Sequence, residues 1–523
     1  MRLKFFSLLL VLAGILSSCG GNEPRLVIFT YDGLRWQELY TGADSSLVGN
    51  PRYVDNPDVM KAKYWRDTPE ERRSVLLPFT WSYIESNGYM LGNRLKGSQF
   101  QVANSMSFSY PGYSEMFCGW ADDERVDSNN PIPNPNTSVF EVVNWDPRYK
   151  GSVMVYGSWE SIRYAVNNDR GGFPGSVSYE PDVAAHKSPE LELINKMQEV
   201  MPHYWGEERF DAFTYAYALQ TMKKDHPKVM WVAFGDTDEW GHAGKYDFYL
   251  EAAHGTDDMI RQIVEFCESD PFYRGKTTYL MTTDHGRGKK SGFTSHSSGT
   301  SGSENTWMIA FGKGVKRLGE TSGNGPYYTR QIASTVAEIL GVDFTPDNGE
   351  KQPPVDPEFK GEPLPDDLNI QDMGYFHELT ATPRGAGVRY KYYEGPFVSV
   401  DELLKARVIE SGIKEDLSID NARAEDHFGY DFQGLLKIPV SGRYVISLSS
   451  DDGSKVFIDD KLVIDNDGSH STNVMEVSLA MDAGYHRLQV LYFDDYEGEA
   501  LEVGIEGCGL SFDNIPASML FHE

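Results

Sequence analysis

The sequence is poor in cysteine, in basic residues and in long apolar runs, and each shortage removes a class of answer. Four cysteines in 523 residues, none in a C-x-x-C pair, argue against a thiolate zinc ribbon and against a disulfide-built scaffold. Lys and Arg number 48 against 78 Asp and Glu, a formal net charge of −30, so the general surface repels nucleic acid duplexes and anionic membranes. Nothing beyond the first residues is apolar for long enough to cross a bilayer. What is present is core material: 40% hydrophobic and 13% aromatic residues are the composition of a folded protein with room for several domains.

The chain opens with basic Met1-Arg2-Leu3-Lys4 and the short apolar run Phe5 to Leu16, the pattern of a signal peptide. The run ends in Leu16-Ser17-Ser18-Cys19, which resembles a bacterial lipobox. The resemblance implies cleavage before Cys19 and lipid on its sulfur. The product would be an exported lipoprotein, periplasmic or at the cell surface, held to the membrane by that anchor alone. The expected organisation is signal peptide 1–18, tether 19–24, catalytic domain 25–342, Pro/acidic linker 343–384 and a β module 385–523.

From residue 25 to 342, short β-branched or aromatic runs alternate with helical periodicity, the mark of an α/β unit with a mostly parallel sheet flanked by helices. Expected strands are Arg25–Thr30, Ser152–Tyr156, Lys228–Phe234, Thr277–Thr282 and Thr306–Phe311. Expected helices are Phe210–Lys224, Phe248–Cys267 and Tyr328–Leu340, the last stopped by Gly341. After the linker the pattern turns to short alternating segments separated by Asp/Gly turns, which predicts an all-β sandwich.

Acidic and imidazole residues cluster just after the expected strands, where an open α/β sheet binds its ligands. Asp32 follows the first strand, Asp238 and His242 follow the third, Asp284 and His285 the fourth, and His296 stands a little beyond. Each alone reads as a turn or loop residue; three Asp and three His together suit two zinc ions. Pro111 marks a helix start at Ser109, where free N–H groups favour an alkoxide or a phosphate. Ser109 read alone is a plain N-cap, and Ser107 and Ser114 compete with it for the nucleophile's role.

The ordered set Tyr31-Asp32-Gly33, Ser109-x-Pro111-Gly112, Asp238-x-x-Gly241-His242, Thr283-Asp284-His285-Gly286 and His296 resembles the alkaline phosphatase superfamily. It is most similar to the nucleotide pyrophosphatase/phosphodiesterase branch and related phosphomonoesterases. That resemblance implies one zinc held by Asp238, His242 and His296, a second held by Asp32, Asp284, His285 and the Ser109 hydroxyl, and hydrolysis of a small phosphate ester through a phosphoseryl intermediate. The alternatives are phosphoryl or phosphoethanolamine transfer, a phosphosugar mutase, and a non-catalytic glycan-binding lipoprotein.

Gly112 stands where the diesterases carry Asn, which makes Asn104 the candidate replacement donor, with Arg163 and Arg170 as further candidates for the phosphate. Tyr113 occupies the position of the Arg in the sulfatase motif, which argues against sulfate esters.

Segments 387–393, 442–453 and 456–464 resemble the protective-antigen-fourteen β-sandwich family, whose sugar-binding members hold calcium with an adjacent Asp pair. Asp451-Asp452 matches that pair and implies a carbohydrate-binding module with calcium. Read from the residues alone, Asp451-Asp452-Gly453 is equally a hairpin turn.

Overall fold

The computed structural model describes residues 23–129, 131–181, 187–364, 370–496 and 498–523, so the expected signal peptide and Cys19 lie outside the described residues. The N-terminal part carries β1 (Arg25–Tyr31), β2 (Gly88–Leu91), β3 (Phe100–Gln101), β4 (Val153–Gly157), β5 (Gly175–Val177), β6 (Val229–Phe234), β7 (Thr277–Thr283), β8 (Met308–Gly312), β9 (Gly319–Glu320) and β10 (Tyr327–Tyr328). An 8-stranded sheet runs in the order β5-β4-β6-β1-β7-β8-β2-β9, while β3 and β10 pair separately. β1 lies parallel to both β6 and β7, and β4 and β5 extend the parallel side. β8 runs antiparallel to β7 and to β2.

β1 shows why these runs read as uninterrupted apolar stretches. Val27, Phe29 and Tyr31 join the core beneath the helices Asp211–Lys224 and Tyr246–Ser269. Leu26 and Ile28 join the opposite core, beneath the helices Ser109–Cys118, Val139–Trp145 and Gln331–Leu340. A parallel strand covered on both faces has no polar side to alternate with.

The C-terminal part is all-β. One sheet runs through Gln371–Phe376, Asn473–Met481, Gly442–Asp451, Ala500–Gly507 and Leu510–Phe512. The other is built on the long pair Phe428–Ile438 and Gly484–Asp494. Ile446, Leu448, Val477 and Val503 of the first sheet share a core with Tyr430, Phe432, Val456 and Val490 of the second.

Two features depart from the sequence reading. The stretch read as linker contains the strand Gln371–Phe376, paired parallel with Asn473–Met481. It is an edge strand, exposed along most of its length, so it lacks the apolar pattern that announces a strand. Asp451-Asp452-Gly453 turns no hairpin either: Gly442–Asp451 and Ser454–Ile458 lie in different sheets, and the pair marks the crossing between them. Among the described residues no helix is long and apolar enough to cross a membrane. Cys118 and Cys267 are buried free thiols and Cys508 is an exposed one.

Candidate metal centre

The register Tyr31↔Phe234 and Tyr31↔Thr283 brings the carboxyl ends of β6, β1 and β7 side by side. Asp32 follows β1 directly, and Asp284-His285 follow β7. After β6 the chain turns at Gly235 into the helix Asp236–His242, which places Asp238 in its first turn and His242 at its last residue. Buried Asp211 holds that turn, accepting from the Gly235 and Asp236 N–H groups and from Ser158 Oγ.

The side chains converge. His285 Nε2 lies 3.4 Å from Asp32 Oδ1, 3.4 Å from Asp284 Oδ2 and 3.8 Å from Asp238 Oδ1. His242 Nε2 lies 3.0 Å from Asp238 Oδ2 and 3.0 Å from His296 Nε2, and the His285 and His296 rings stack at 3.8 Å. Two of the rings are oriented from behind: His285 Nδ1 bonds the Gly286 carbonyl at 2.8 Å and His296 Nδ1 the Ser107 carbonyl at 2.9 Å. With Nδ1 donating, the neutral ring presents an Nε2 lone pair to the cluster, the arrangement that orients metal-bound imidazoles.

Ser109 opens the helix Ser109–Cys118, but the N-cap is Phe108 and no side chain caps the helix. The hydroxyl is turned elsewhere, 3.3 Å from Asp32 Oδ1 and 3.1 Å from His285 Nε2, which removes the simple capping explanation. Gly112 has a steric reason: a Cβ there would meet the Asp284 carbonyl oxygen at 2.5 Å, so only glycine lets this helix approach the end of β7. Gly241 likewise leaves room for the Arg287 guanidinium, which an added Cβ would meet at 2.7 Å.

The electrostatics call for cations. Asp284 Oδ1 accepts from the Gly33 N–H, while Oδ2 is buried without a hydrogen-bond partner. Burial, then the charge of Asp32, holds the Asp284 carboxyl well above the usual carboxylate range. Burial alone would lower His285, yet Asp284 and the neighbouring Asp32 and Asp238 push it up to about 9, so in the metal-free protein a proton answers their charge. An orphaned carboxylate oxygen beside converging imidazole nitrogens fits a bound divalent metal. Two overlapping groups have ligand atoms within 4.8 Å of one another: Asp238, His242 and His296, and Asp32, Asp238 and His285. Asp238 belongs to both, and Asp284 borders the second through His285. Water reaches this cluster unevenly: the His242 side chain is 47% exposed, those of His285 and Asp284 0%.

Other residues named from the sequence are placed differently. Asn104 donates to Glu115 at 2.8 Å and, through its Oδ1, accepts from the N–H groups of Met106 and Ser107. Arg163 pairs with Glu180, and Arg170 with Glu141 and the carbonyls of Asn134 and Asn136, so both guanidiniums are engaged outside the cluster. Both Asp452 oxygens accept backbone N–H groups, from His470 and Asp495, and Asp451 Oδ2 accepts from Thr472. Among the described residues neither Asp belongs to a group of three candidate ligands.

Three contacts to the cluster were not read from the sequence, although Tyr113 was named there in another connection. Arg287 is fully buried and pairs with Asp238 Oδ1. Tyr113 donates to Asp32 Oδ2 at 3.0 Å, and Thr237 donates to the Asp32 carbonyl.

Among curated proteins there is no match. The chain is similar to an anti-sigma factor domain-containing protein from Clostridium clariflavum, 22% identical over 28% of this chain and 51% of that one, TM-score 0.24. It spans about half the length of the first two solved chains it matches. It is also similar to a protein in the alkaline phosphatase superfamily from Vibrio parahaemolyticus, 12% identical over 63% and 69%, TM-score 0.38. A third similarity is to the PA14 sugar-binding domain from an RTX adhesin, 16% identical over 26% and 99%, TM-score 0.23. The family models are those of the PA14 domain at residues 387–506 and of the Metalloenzyme superfamily at residues 208–343. Residues 208–343, which include Asp238, His242, Asp284, His285 and His296, thus match the Metalloenzyme superfamily model, and residues 387–506 match the PA14 domain model.

Proposed function

We propose that the α/β part is a phosphoric ester hydrolase that uses two zinc ions and the Ser109 hydroxyl as nucleophile. Asp238, His242 and His296 would hold one ion, and Asp32, Asp284 and His285 the other, with Asp238 near both. Zinc would supply the positive charge that stabilises an alkoxide at Ser109 and the oxygen that leaves phosphorus. The observation that carries the reading is the Ser109 hydroxyl itself, free of any capping duty and within hydrogen-bond distance of Asp32 and His285.

In the reaction Ser109 Oγ gives up its proton to water and forms a bond to phosphorus while the ester P–O bond breaks; the leaving alkoxide takes a proton from water, so no net proton is gained or lost in this step. Water then attacks the phosphoserine from the opposite side, releases phosphate and restores the hydroxyl. Two in-line displacements retain configuration at phosphorus. Tyr113, committed to Asp32, offers no guanidinium in the position of the sulfatase arginine, which favours phosphate over sulfate. The deciding experiment is a screen of p-nitrophenyl phosphate, bis-p-nitrophenyl phosphate and p-nitrophenyl sulfate with and without chelator. Chelator-sensitive release from a phosphate ester is expected; release from the sulfate alone would overturn the reading.

The lipobox at Cys19 supports an exported, lipid-anchored protein, and loss of lipid labelling in Cys19→Ala tests it. For the PA14 domain we propose glycan contact with calcium at Asp451. Calcium titration of wild type against Asp451→Ala decides this, and identical uptake by both would remove the ion from the pair.

A further inference from the structure

Between His285 and His296 the chain runs through a loop with little regular structure, a 3-10 turn at Lys290–Thr294 followed by extended residues. Such a segment holds a ligand in place only if something else fixes it. From inside the domain Arg287 does part of this, donating to the carbonyls of Phe293 and Thr294. The rest comes from the C-terminal domain.

Ser297, the residue after His296, has its Oγ 3.2 Å from Ser471 Oγ, and Thr300 Oγ1 lies 3.1 Å from the same atom. The Ser301 N–H donates to Asn473 Oδ1 at 3.2 Å, Ser291 Oγ to Ser449 Oγ at 2.7 Å, and Lys290 pairs with Glu476 at 2.7 Å. The backbones approach closely: a Cβ added at Gly299 would lie 3.3 Å from His470 Cβ, and one at Gly292 3.3 Å from Val474. The clamping segment is itself tied down within its own domain. His470 donates its N–H to Asp452, Thr472 its hydroxyl to Asp451, and Asn473 its amide to Asn466.

We infer that the C-terminal domain completes the metal centre, with Ser471 and Asn473 acting as positioning residues for His296 through the loop 297–301. Ordering that loop before metal arrives spares binding the entropy of ordering it, and outer partners of metal ligands govern affinity for the same reason. This inference rests on the proposed metal reading, so it is given one readout that needs no metal.

The test uses the full chain as wild type, as the double variant Ser471→Ala/Asn473→Ala and as the conservative Ser471→Thr, with melting curves to verify folding. In zinc competition against a chromophoric chelator, the double variant should hold one of its two equivalents about 10-fold more weakly or worse and the other unchanged, with Ser471→Thr like wild type. In the metal-free protein, amide exchange over 295–302 should be faster in the double variant. Wild-type zinc affinity at both sites, or wild-type exchange over that loop, overturns the inference. A wild-type protein that takes up no zinc defeats the metal reading instead, and the exchange data still decide the role of the loop. If the double variant does not fold, Ser297→Ala/Thr300→Val removes the two hydroxyl contacts to Ser471 from the other side, and the same two readouts apply.

Discussion

Fully buried Arg287 forms an ion pair with partly exposed Asp238 at the point where the two candidate metal groups share a carboxylate. The same guanidinium spans to the Phe293 and Thr294 carbonyls, and its charge helps hold the Asp238 carboxyl well below the usual range against the effect of burial.

Arg287→Met keeps the bulk and removes every donor. Breaking a buried pair by deleting one partner costs about 3–5 kcal/mol, because the other charge is stranded. Urea unfolding of the chelator-treated protein should show a loss of that order. A variant within about 1 kcal/mol of wild type would mean that the pair does not anchor the loop.

Ser109→Ala should leave the fold intact, since the hydroxyl caps no helix. Turnover should fall by about three orders of magnitude or more, as when a group acting in the transition state is removed. Acid-quenched wild type should carry phosphate on the Ser109 peptide and the variant none. Turnover near normal in a folded, zinc-loaded Ser109→Ala would move the nucleophile elsewhere.

Asp284→Asn should separate stability from function. The buried Oδ2 accepts no hydrogen bond; its neighbour without metal is His285 Nε2 at 3.4 Å, with Asp32 on the other side of that ring. An amide, neutral without taking up a proton, should raise the melting stability of the metal-free protein by about 0.5–2 kcal/mol, the usual return on relieving a strained functional site, while zinc uptake drops. A destabilised metal-free variant would show that this carboxylate serves the fold.

Asp257 supplies the pH test. It is buried and accepts from the Phe79 and Thr80 N–H groups and from Thr80 Oγ1, and burial raises its carboxyl to about 6. A raised folded pKa means that the folded state holds the proton more tightly. The contribution is therefore fully present below the unfolded value near 4 and lost as pH rises through about 6. In urea unfolding at pH 4.5 and 7.5, wild type should lose on the order of 2 kcal/mol more than Asp257→Asn between the two conditions. Parallel losses would show that Asp257 is not the group responsible.

What the sequence disclosed follows from local pattern. β1, β4, β6 and β7 were legible because strands covered on both faces are apolar throughout, and Asp32, Asp284 and His285 stood out because they follow those strands directly, whereas Asp238, His242 and His296 were named from their spacing in the motifs. The direction of β8 was not legible, since an apolar run carries no sign of parallel or antiparallel pairing. Arg287 was hidden in Gly286-Arg287-Gly288-Lys289-Lys290, where a basic residue among glycines reads as exposed loop; its burial depends on Asp238, which lies 49 residues away in the chain. Arg163 and Arg170, named as candidates for the phosphate, are engaged by Glu180 and Glu141, partners that their own sequence surroundings do not disclose.

The uneven exposure of the cluster gives it a front and a back. His242 meets water while His285 and Asp284 do not, so under the proposed function ions and esters would arrive and depart along the His242 edge. Of two bound ions the one on that edge would be the first to leave. Mild chelation should then inactivate the enzyme in two kinetic phases, a fast one for the outer ion and a slow one for the ion behind it.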